Sequence, residues 1–126
     1  MECGSQCSST KATLVEYGHI DTRGLATLIS SKVPLVILDA RQGKWDDGKR
    51  IAHAQTLPDG ATEEQIKRLV PVKDALIVVY CSNSQCPASN YLAGQLSELG
   101  YTNILKYKEG IQEWIHSGLP VRTSHG

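Results

Sequence analysis

The sequence contains no phenylalanine, and two tryptophans and five tyrosines leave it poor in aromatic side chains. Proteins that bind single-stranded nucleic acids stack bases on aromatic side chains, so this shortage argues against that class. An excess of positive charge is also lacking, because 13 lysines and arginines are balanced by 13 aspartates and glutamates. A nucleic-acid-binding surface needs clustered basic residues. We therefore expect no nucleic-acid partner.

Long apolar runs are missing as well, and no segment approaches the roughly 20 residues that a membrane-spanning helix needs. The four cysteines, Cys3, Cys7, Cys81 and Cys86, are too few for a disulfide scaffold. Their spacings differ from the short gaps of zinc ribbons, and the four histidines lack a metal-like spacing. We expect neither a membrane span nor a bound metal.

The chain has the size and composition of a single domain. Its 126 residues, 40% of them hydrophobic, can bury a core without disulfides or metals. We expect a flexible N-terminal segment at residues 1–11, which is largely small and polar, and one domain over residues 12–126. The compartment stays open between cytoplasm and periplasm, since this start is compatible with a frayed end and with a trimmed export product.

Strand and helix signals alternate along the chain. Two continuous runs of apolar residues, 34–38 and 75–80, are typical of central parallel strands that are covered on both faces. Weaker patterns predict three further strands at 13–17, 51–57 and 104–107. The capping residues and apolar spacing predict helices over 21–30, from Thr62 to just before Pro71, from Pro87 to Leu99, and over 110–116. This alternation predicts an α/β domain with a largely parallel sheet.

Two expectations concern the surface of this domain. The polar stretch at residues 41–50 predicts a long exposed loop. The helix after Pro87 carries apolar residues at helical spacing, which predicts that they form one stripe: Tyr91, Leu92, Leu96 and Leu99.

The strongest chemical signal lies at residues 78–89. An apolar run ends at Cys81, a short polar loop follows, and a helix begins near Pro87. The thiol is thereby placed at the carboxyl end of a buried strand, opposite the N-terminus of a helix. Backbone N–H groups at such a helix start carry partial positive charge and favour a sulfur anion. We interpret Cys81 as a nucleophile rather than as a core residue.

Four short motifs, in this order, resemble those of the rhodanese (sulfurtransferase) family. They are Asp39-Ala40-Arg41, Val79-Tyr80-Cys81, Gly100-Tyr101-Thr102-Asn103-Ile104, and Glu109-Gly110-Ile111-Gln112-Glu113-Trp114 followed by Ser117-Gly118-Leu119-Pro120-Val121. The resemblance extends from about Thr13 to Val121. It implies a rhodanese-like domain of three layers, in which a mostly parallel sheet of about five strands has helices on both faces.

Two stretches depart from the family pattern. Residues 49–54 stand where the family usually reads Gly-His-Ile-Pro-Gly-Ala, and the isoleucine and the last alanine match. The loop after Cys81 has the pattern Cys-x-x-x-x-Cys-Pro, which resembles a subset of rhodaneses with two cysteines in this loop. It lacks the glycine and the basic residue that are usual in loops that handle thiosulfate.

The resemblance implies a sulfurtransferase that moves a sulfane sulfur from a donor such as thiosulfate or a persulfide to a thiol, cyanide or protein acceptor. Cys81 would carry the sulfur as a persulfide and would need no cofactor. Amides of the following loop would surround the sulfur anion, and its residues are Ser82, Asn83, Ser84, Gln85 and Cys86. We expect a monomer or a weak dimer.

Three residues near Cys81 have open roles. Cys86 is interpreted as a resolving thiol that closes a disulfide with Cys81 or accepts its sulfur, as part of the helix start, or as a second protected thiol. Arg41 is placed at the mouth of the site, where it binds an anionic donor or pairs with Asp39 or Glu109 to hold the loop. Asp39 is expected to hold loop amides.

Three other functions compete with sulfur transfer. A cysteine phosphatase of similar fold would need an arginine six positions after Cys81, where this chain has Pro87. A thiol–disulfide redox protein would use Cys81 and Cys86 as a cycling pair. A non-catalytic docking module is the third alternative, although the presence of Cys81 argues against it.

Overall fold

Strands and helices alternate in the computed structural model, which describes residues 17–43, 46–57 and 61–123. The strands are β1 (Gly18–His19), β2 (Val36–Asp39), β3 (Lys49–Ile51), β4 (Gln55–Thr56), β5 (Leu76–Tyr80), β6 (Asn103–Tyr107) and β7 (Val121–Thr123). The helices are α1 (Thr22–Ser30), α2 (Glu63–Leu69), α3 (Ala88–Glu98) and α4 (Gly110–His116). The order confirms the predicted α/β class.

Five of the strands form one parallel sheet in the order β1-β6-β5-β2-β4. The remaining two strands, β3 and β7, pair antiparallel beside it. Strand β5 lies at the centre of the sheet, so its carboxyl end is flanked by the ends of β2 and β6. In open α/β sheets, ligands bind at this edge.

Helices cover both faces of the sheet and explain the continuous apolar runs. In β5, Ile77 and Val79 point to one core cluster, while Val78 and Tyr80 point to the other. Helices α2 and α3 contribute to the first cluster, and α1 and α4 contribute to the second. A strand that is buried on both faces needs apolar residues at every position. The predicted three-layer arrangement is thereby confirmed.

Local signals at helix starts were read correctly. Asp21 caps α1 through a hydrogen bond from the Gly24 N–H to its carboxylate at 2.7 Å. Thr62 and Gln65 form the predicted capping box at the start of α2. Each pair satisfies backbone N–H groups that the helix itself leaves without partners.

Three local predictions were wrong. Residues 51–57 do not form one strand, because Ala52 turns with a φ of 49° and separates β3 from β4. The stretch at 41–50 is not wholly exposed, since Arg41 and Arg50 are buried. Tyr91 does not pack with the apolar stripe of its helix and is 63% exposed.

The N-terminal predictions fall largely outside the described residues. This holds for the flexible segment at 1–11 and for residues 13–16 of the predicted first strand, while β1 begins at Gly18 and lies at the edge of the sheet. Within the described ranges, no helix combines the length and the apolar character that crossing a membrane requires.

Candidate functional site around the Cys81–Cys86 disulfide

Cys81 directly follows the central strand β5 and lines a cavity of about 480 Å³ at the carboxyl edge of the sheet. The cavity also contains residues that follow β2 and residues at the start of α3. Its lining residues are Ala40, Arg41, Gln42, Cys81, Ser82, Asn83, Gln85, Cys86, Pro87, Ala88 and Tyr91. The backbone hydrogen bond from the Ala40 N–H to the Tyr80 carbonyl, at 2.8 Å, joins the two walls.

Cys81 and Cys86 are joined by a disulfide bond, with their Cα atoms 6.2 Å apart. Cys81 is 2% exposed, whereas Cys86 is half-buried. In this oxidised form Cys81 has no free thiol, so it cannot act as a nucleophile. Reduction of the disulfide is therefore required before Cys81 can react as a thiolate.

A turn centred on Asn83 shapes the loop between the two cysteines. The Gln85 N–H donates to the Asn83 side-chain oxygen at 2.9 Å, and the Cys86 N–H donates to the Asn83 carbonyl at 3.2 Å. The sequence predicted that the amides from Ser82 to Cys86 surround the sulfur of Cys81. In the disulfide form Asn83 engages the N–H groups of Gln85 and Cys86, so the prediction for the reduced loop stays a prediction.

Helix α4 holds the beginning of this loop. The Ile111 and Gln112 N–H groups donate to the carbonyls of Cys81 and Ser82, both at 3.0 Å. The Asn83 side-chain amide also donates to the Gln112 side chain at 3.1 Å. These bonds satisfy two orphan amides of α4 and fix the backbone of Cys81 independently of its sulfur.

Gly110, the first residue of α4, permits this close contact. Its φ is +79°, and a Cβ atom built on it would lie 2.5 Å from the backbone C and O atoms of Ser82. Real Cβ atoms do not approach backbone atoms so closely, and a left-handed φ is unfavourable for residues with a side chain. A residue other than glycine would therefore displace the loop or the helix.

Five charged residues, which we term the acid–arginine cluster, support the opposite wall: Asp39, Arg41, Asp46, Asp47 and Arg50. Arg41 donates from Nε and Nη2 to Asp39 at 3.0 and 2.7 Å, and from Nη1 to Asp47 at 3.0 Å. Arg50 donates to both carboxylate oxygens of Asp46 at 2.7 and 2.9 Å, and its Nη1 lies 3.5 Å from Asp39. The cluster ties residues 41–43 and 46–50 to the end of β2.

Mutual pairing raises the pKa of Arg41 and Arg50 and lowers that of Asp46. Burial opposes the charge on Arg41, but the hydrogen bonds and charge of Asp39 raise the pKa of Arg41 overall. Hydrogen bonds from Arg50 lower the pKa of Asp46. Burial next to Asp39 raises the pKa of Tyr80, so its hydroxyl stays neutral and accepts the Ile51 N–H at 3.2 Å.

The described lining of the cavity carries one charged side chain, that of Arg41. This side chain is 2% exposed and donates to Asp39, to Asp47 and to the Lys49 carbonyl. Arg41 was expected either to bind an anionic donor or to pair with Asp39 or Glu109. The observed contacts are those of pairing with Asp39. Asp39 also accepts the Arg41 backbone N–H at 2.9 Å, which is the loop-amide contact expected of it.

Sequence reasoning missed two residues that shape the site. Tyr91 lies at the cavity rather than in the core, because it sits in the first turn of α3 next to Pro87 and Ala88. Gly110 appeared only as part of a family motif, although a glycine that opens a helix directly after a strand is a signal for close backbone packing.

A parallel sheet, helices on both faces and a cysteine at the carboxyl end of the central strand define the class of this domain. The family model "Rhodanese-like domain" matches residues 21–117. The chain belongs to this family.

Individual relatives agree with this assignment. An uncharacterized protein, YibN, of Escherichia coli strain K12 is 29% identical over 115 residues, which are 90% of this chain and 78% of YibN. A rhodanese-related protein of Thermoplasma volcanium has a TM-score of 0.65 and 29% identity, covering 84% of this chain and 98% of its own.

A thiosulfate sulfurtransferase of Pseudomonas aeruginosa has a TM-score of 0.68, with 86% of this chain and 21% of that one covered. Its identity to this chain is 17%, so this likeness shows the fold alone. The two-cysteine loop remains a feature that these comparisons do not test.

Replacing Asp39 with Asn should lower the free energy of unfolding by about 3 kcal/mol, because Arg41 and Arg50 would lose their shared buried carboxylate. Urea unfolding measures the loss. The control is Asp47→Asn, whose side chain is 52% exposed and whose loss should stay below about 1 kcal/mol. Equal losses in the two variants would contradict the importance of the buried contact.

Replacing Gly110 with Ala should destabilise the protein more than replacing Gly118 with Ala. Both glycines have a similar left-handed φ, +79° and +82°, but no atom lies within 4 Å of a Cβ built on Gly118. The Gly118 variant should lose about 1–2 kcal/mol from conformation alone. Urea unfolding should show a larger loss of unfolding free energy for the Gly110 variant. Equal losses in the two variants would contradict the role of Gly110 in close backbone packing.

Proposed function

We propose that this chain is a sulfurtransferase that carries a sulfane sulfur on Cys81. The supporting observation is the position of Cys81, which ends the central strand and lines a cavity together with the first residues of α3. The N–H groups of the first turn of α3 carry partial positive charge. They favour the thiolate of Cys81 and, after loading, the anion of its persulfide.

The proposed reaction has two steps. The Cys81 thiolate attacks the sulfane sulfur of a donor, such as thiosulfate or an organic persulfide, and displaces sulfite or a thiolate. The product is Cys81–S–S⁻, which conserves the charge of the attacking thiolate. A thiol, cyanide or a protein acceptor then removes the outer sulfur and restores the Cys81 thiolate.

The disulfide defines an inactive form in this scheme. Because Cys81 is bonded to Cys86 and is 2% exposed, a donor cannot be attacked until the bond is reduced. The same bond supports a second candidate function, in which the two cysteines cycle as a thiol–disulfide redox pair. The two functions differ in whether a sulfur atom from a donor becomes bound to the protein.

Replacing Cys81 with Ser should abolish sulfur loading and leave the fold intact. The reduced Cys86→Ser variant, in which Cys81 cannot be closed into a disulfide, should gain about 32 Da on Cys81 from thiosulfate or glutathione persulfide, and cyanide should remove this mass. The same variant with Cys81→Ser added should gain none. Intact-mass spectrometry measures the gain, and circular dichroism checks the fold. Adding Cys3→Ser and Cys7→Ser to the Cys86→Ser variant serves as the control, and its loading should be unchanged.

Three results would contradict the proposal. Loading that survives in the Cys81→Ser variant would place the sulfur elsewhere. A Cys86→Ser variant that gains no mass from either donor, together with a wild type that opens and closes the Cys81–Cys86 bond, would favour the redox pair. No mass gain and no disulfide cycling would favour a docking module.

A further inference from the structure

We propose that Cys86 resolves the Cys81 persulfide, so that the sulfur leaves as hydrosulfide and the Cys81–Cys86 disulfide is formed in each turnover. This inference rests on the proposed function and names the group that releases the sulfur from Cys81, which is a thiol of the same chain. It also names the kind of partner that turnover needs, because the disulfide must then be reduced by an external dithiol.

The geometry brings the sulfur of Cys86 to the inner sulfur of Cys81. Their Cα atoms are 6.2 Å apart and their sulfur atoms are bonded, so the loop can place one sulfur against the other. The Asn83 turn, with the Cys86 N–H on the Asn83 carbonyl, sets the direction of this approach. Attack on the inner sulfur forms the bond that the structure contains, whereas attack on the outer sulfur would only move the persulfide to Cys86.

The step balances without any further reactant. Sγ of the Cys86 thiol forms a bond to Sγ of Cys81 while its proton passes to the outer sulfur, the bond between the two sulfurs of Cys81–S–S⁻ breaks, and HS⁻ leaves with the electron pair. The sulfane sulfur is thereby reduced by two electrons to sulfide, and the two cysteine thiols are oxidised to a disulfide. An external dithiol returns both electrons and both protons when it reduces this disulfide.

Burial favours an internal resolving thiol over an external one. Cys81 is 2% exposed in the disulfide form, so Cys86 occupies the approach to its sulfur. A group that is already held beside the reacting atom has a large advantage over one that must diffuse to it. An external thiol would therefore meet Cys86 before it reached the inner sulfur of Cys81.

The same difference in exposure determines which sulfur of the Cys81–Cys86 disulfide an external dithiol attacks. Cys86 is half-buried and more accessible than Cys81, so a dithiol would attack Cys86 and release Cys81 as the thiolate. That thiolate then faces the N-terminus of α3 and is ready for the next donor. Among the described residues, the rim beside Cys86 is formed by Pro87, Ala88 and the exposed Tyr91, all of them uncharged. A dithiol carried by a weakly charged or apolar surface fits this rim.

A single-turnover experiment tests the step. Reduced protein carrying Cys3→Ser and Cys7→Ser is freed of reductant and mixed with one equivalent of glutathione persulfide. We expect about one hydrosulfide per protein and a product about 2 Da lighter than the reduced chain, with the bond mapped to Cys81 and Cys86. The Cys86→Ser variant should instead keep about 32 Da on Cys81 and release hydrosulfide at least about 100-fold more slowly.

The outcomes separate this inference from the proposed function. If the Cys86→Ser variant loads and the parent keeps its persulfide equally long, Cys86 is not the resolving thiol while sulfur transfer stands. A sulfur found on Cys86 of the parent would likewise overturn the inference, since it shows attack on the outer sulfur. If the Cys86→Ser variant does not load at all, both the inference and the proposed function fail.

Discussion

The pairing of the fully buried Asp39 carboxylate with Arg41 and Arg50 is the interaction on which the site depends. Asp39 ends β2, accepts the backbone N–H and the guanidinium of Arg41, and lies within 3.5 Å of Arg50. A buried carboxylate is costly unless its charge is balanced, and two arginines balance this one. The polar chain after β2 is thereby folded back onto the sheet, which gives the cavity a fixed wall beside the end of β5.

The opposite wall of the cavity is fixed by backbone hydrogen bonds rather than by charged side chains. Helix α4 donates its first free amides to the carbonyls of Cys81 and Ser82, and Gly110 lets the two backbones touch. Cys81 is therefore held from its main chain while its side chain meets the cavity. This arrangement suits a residue whose sulfur must change partners during a reaction, since bond changes at the sulfur leave the strand end in place.

The sequence predicted the features that follow from local pattern. The apolar runs at 34–38 and 75–80 revealed the two central strands, and the capping box at Thr62 marked a helix start. Predictions failed where contacts formed only in the folded chain determine whether a side chain is buried. Pairing of Arg41 with Asp39 was one of the predicted alternatives, but spacing does not show that the chain after β2 folds back and buries both Arg41 and Arg50. Tyr91 was predicted to pack in the core because helical periodicity does not show where a cavity opens. The bond between Cys81 and Cys86 was one alternative of several, since spacing permits contact without requiring it.

The anchoring of Cys81 and Ser82 has a consequence for how this loop can vary. The disulfide closes a ring whose first two residues are fixed by α4, and Asn83 also bonds to Gln112 of this helix, so the remaining conformational freedom lies in Ser84 and Gln85. An inserted residue there would enlarge the ring without moving the strand end, and the entropic cost of closing a slightly larger ring is small. The length of the loop and the position of the Cys81 sulfur are thus determined by separate segments. Loops of different length can therefore share one sulfur position.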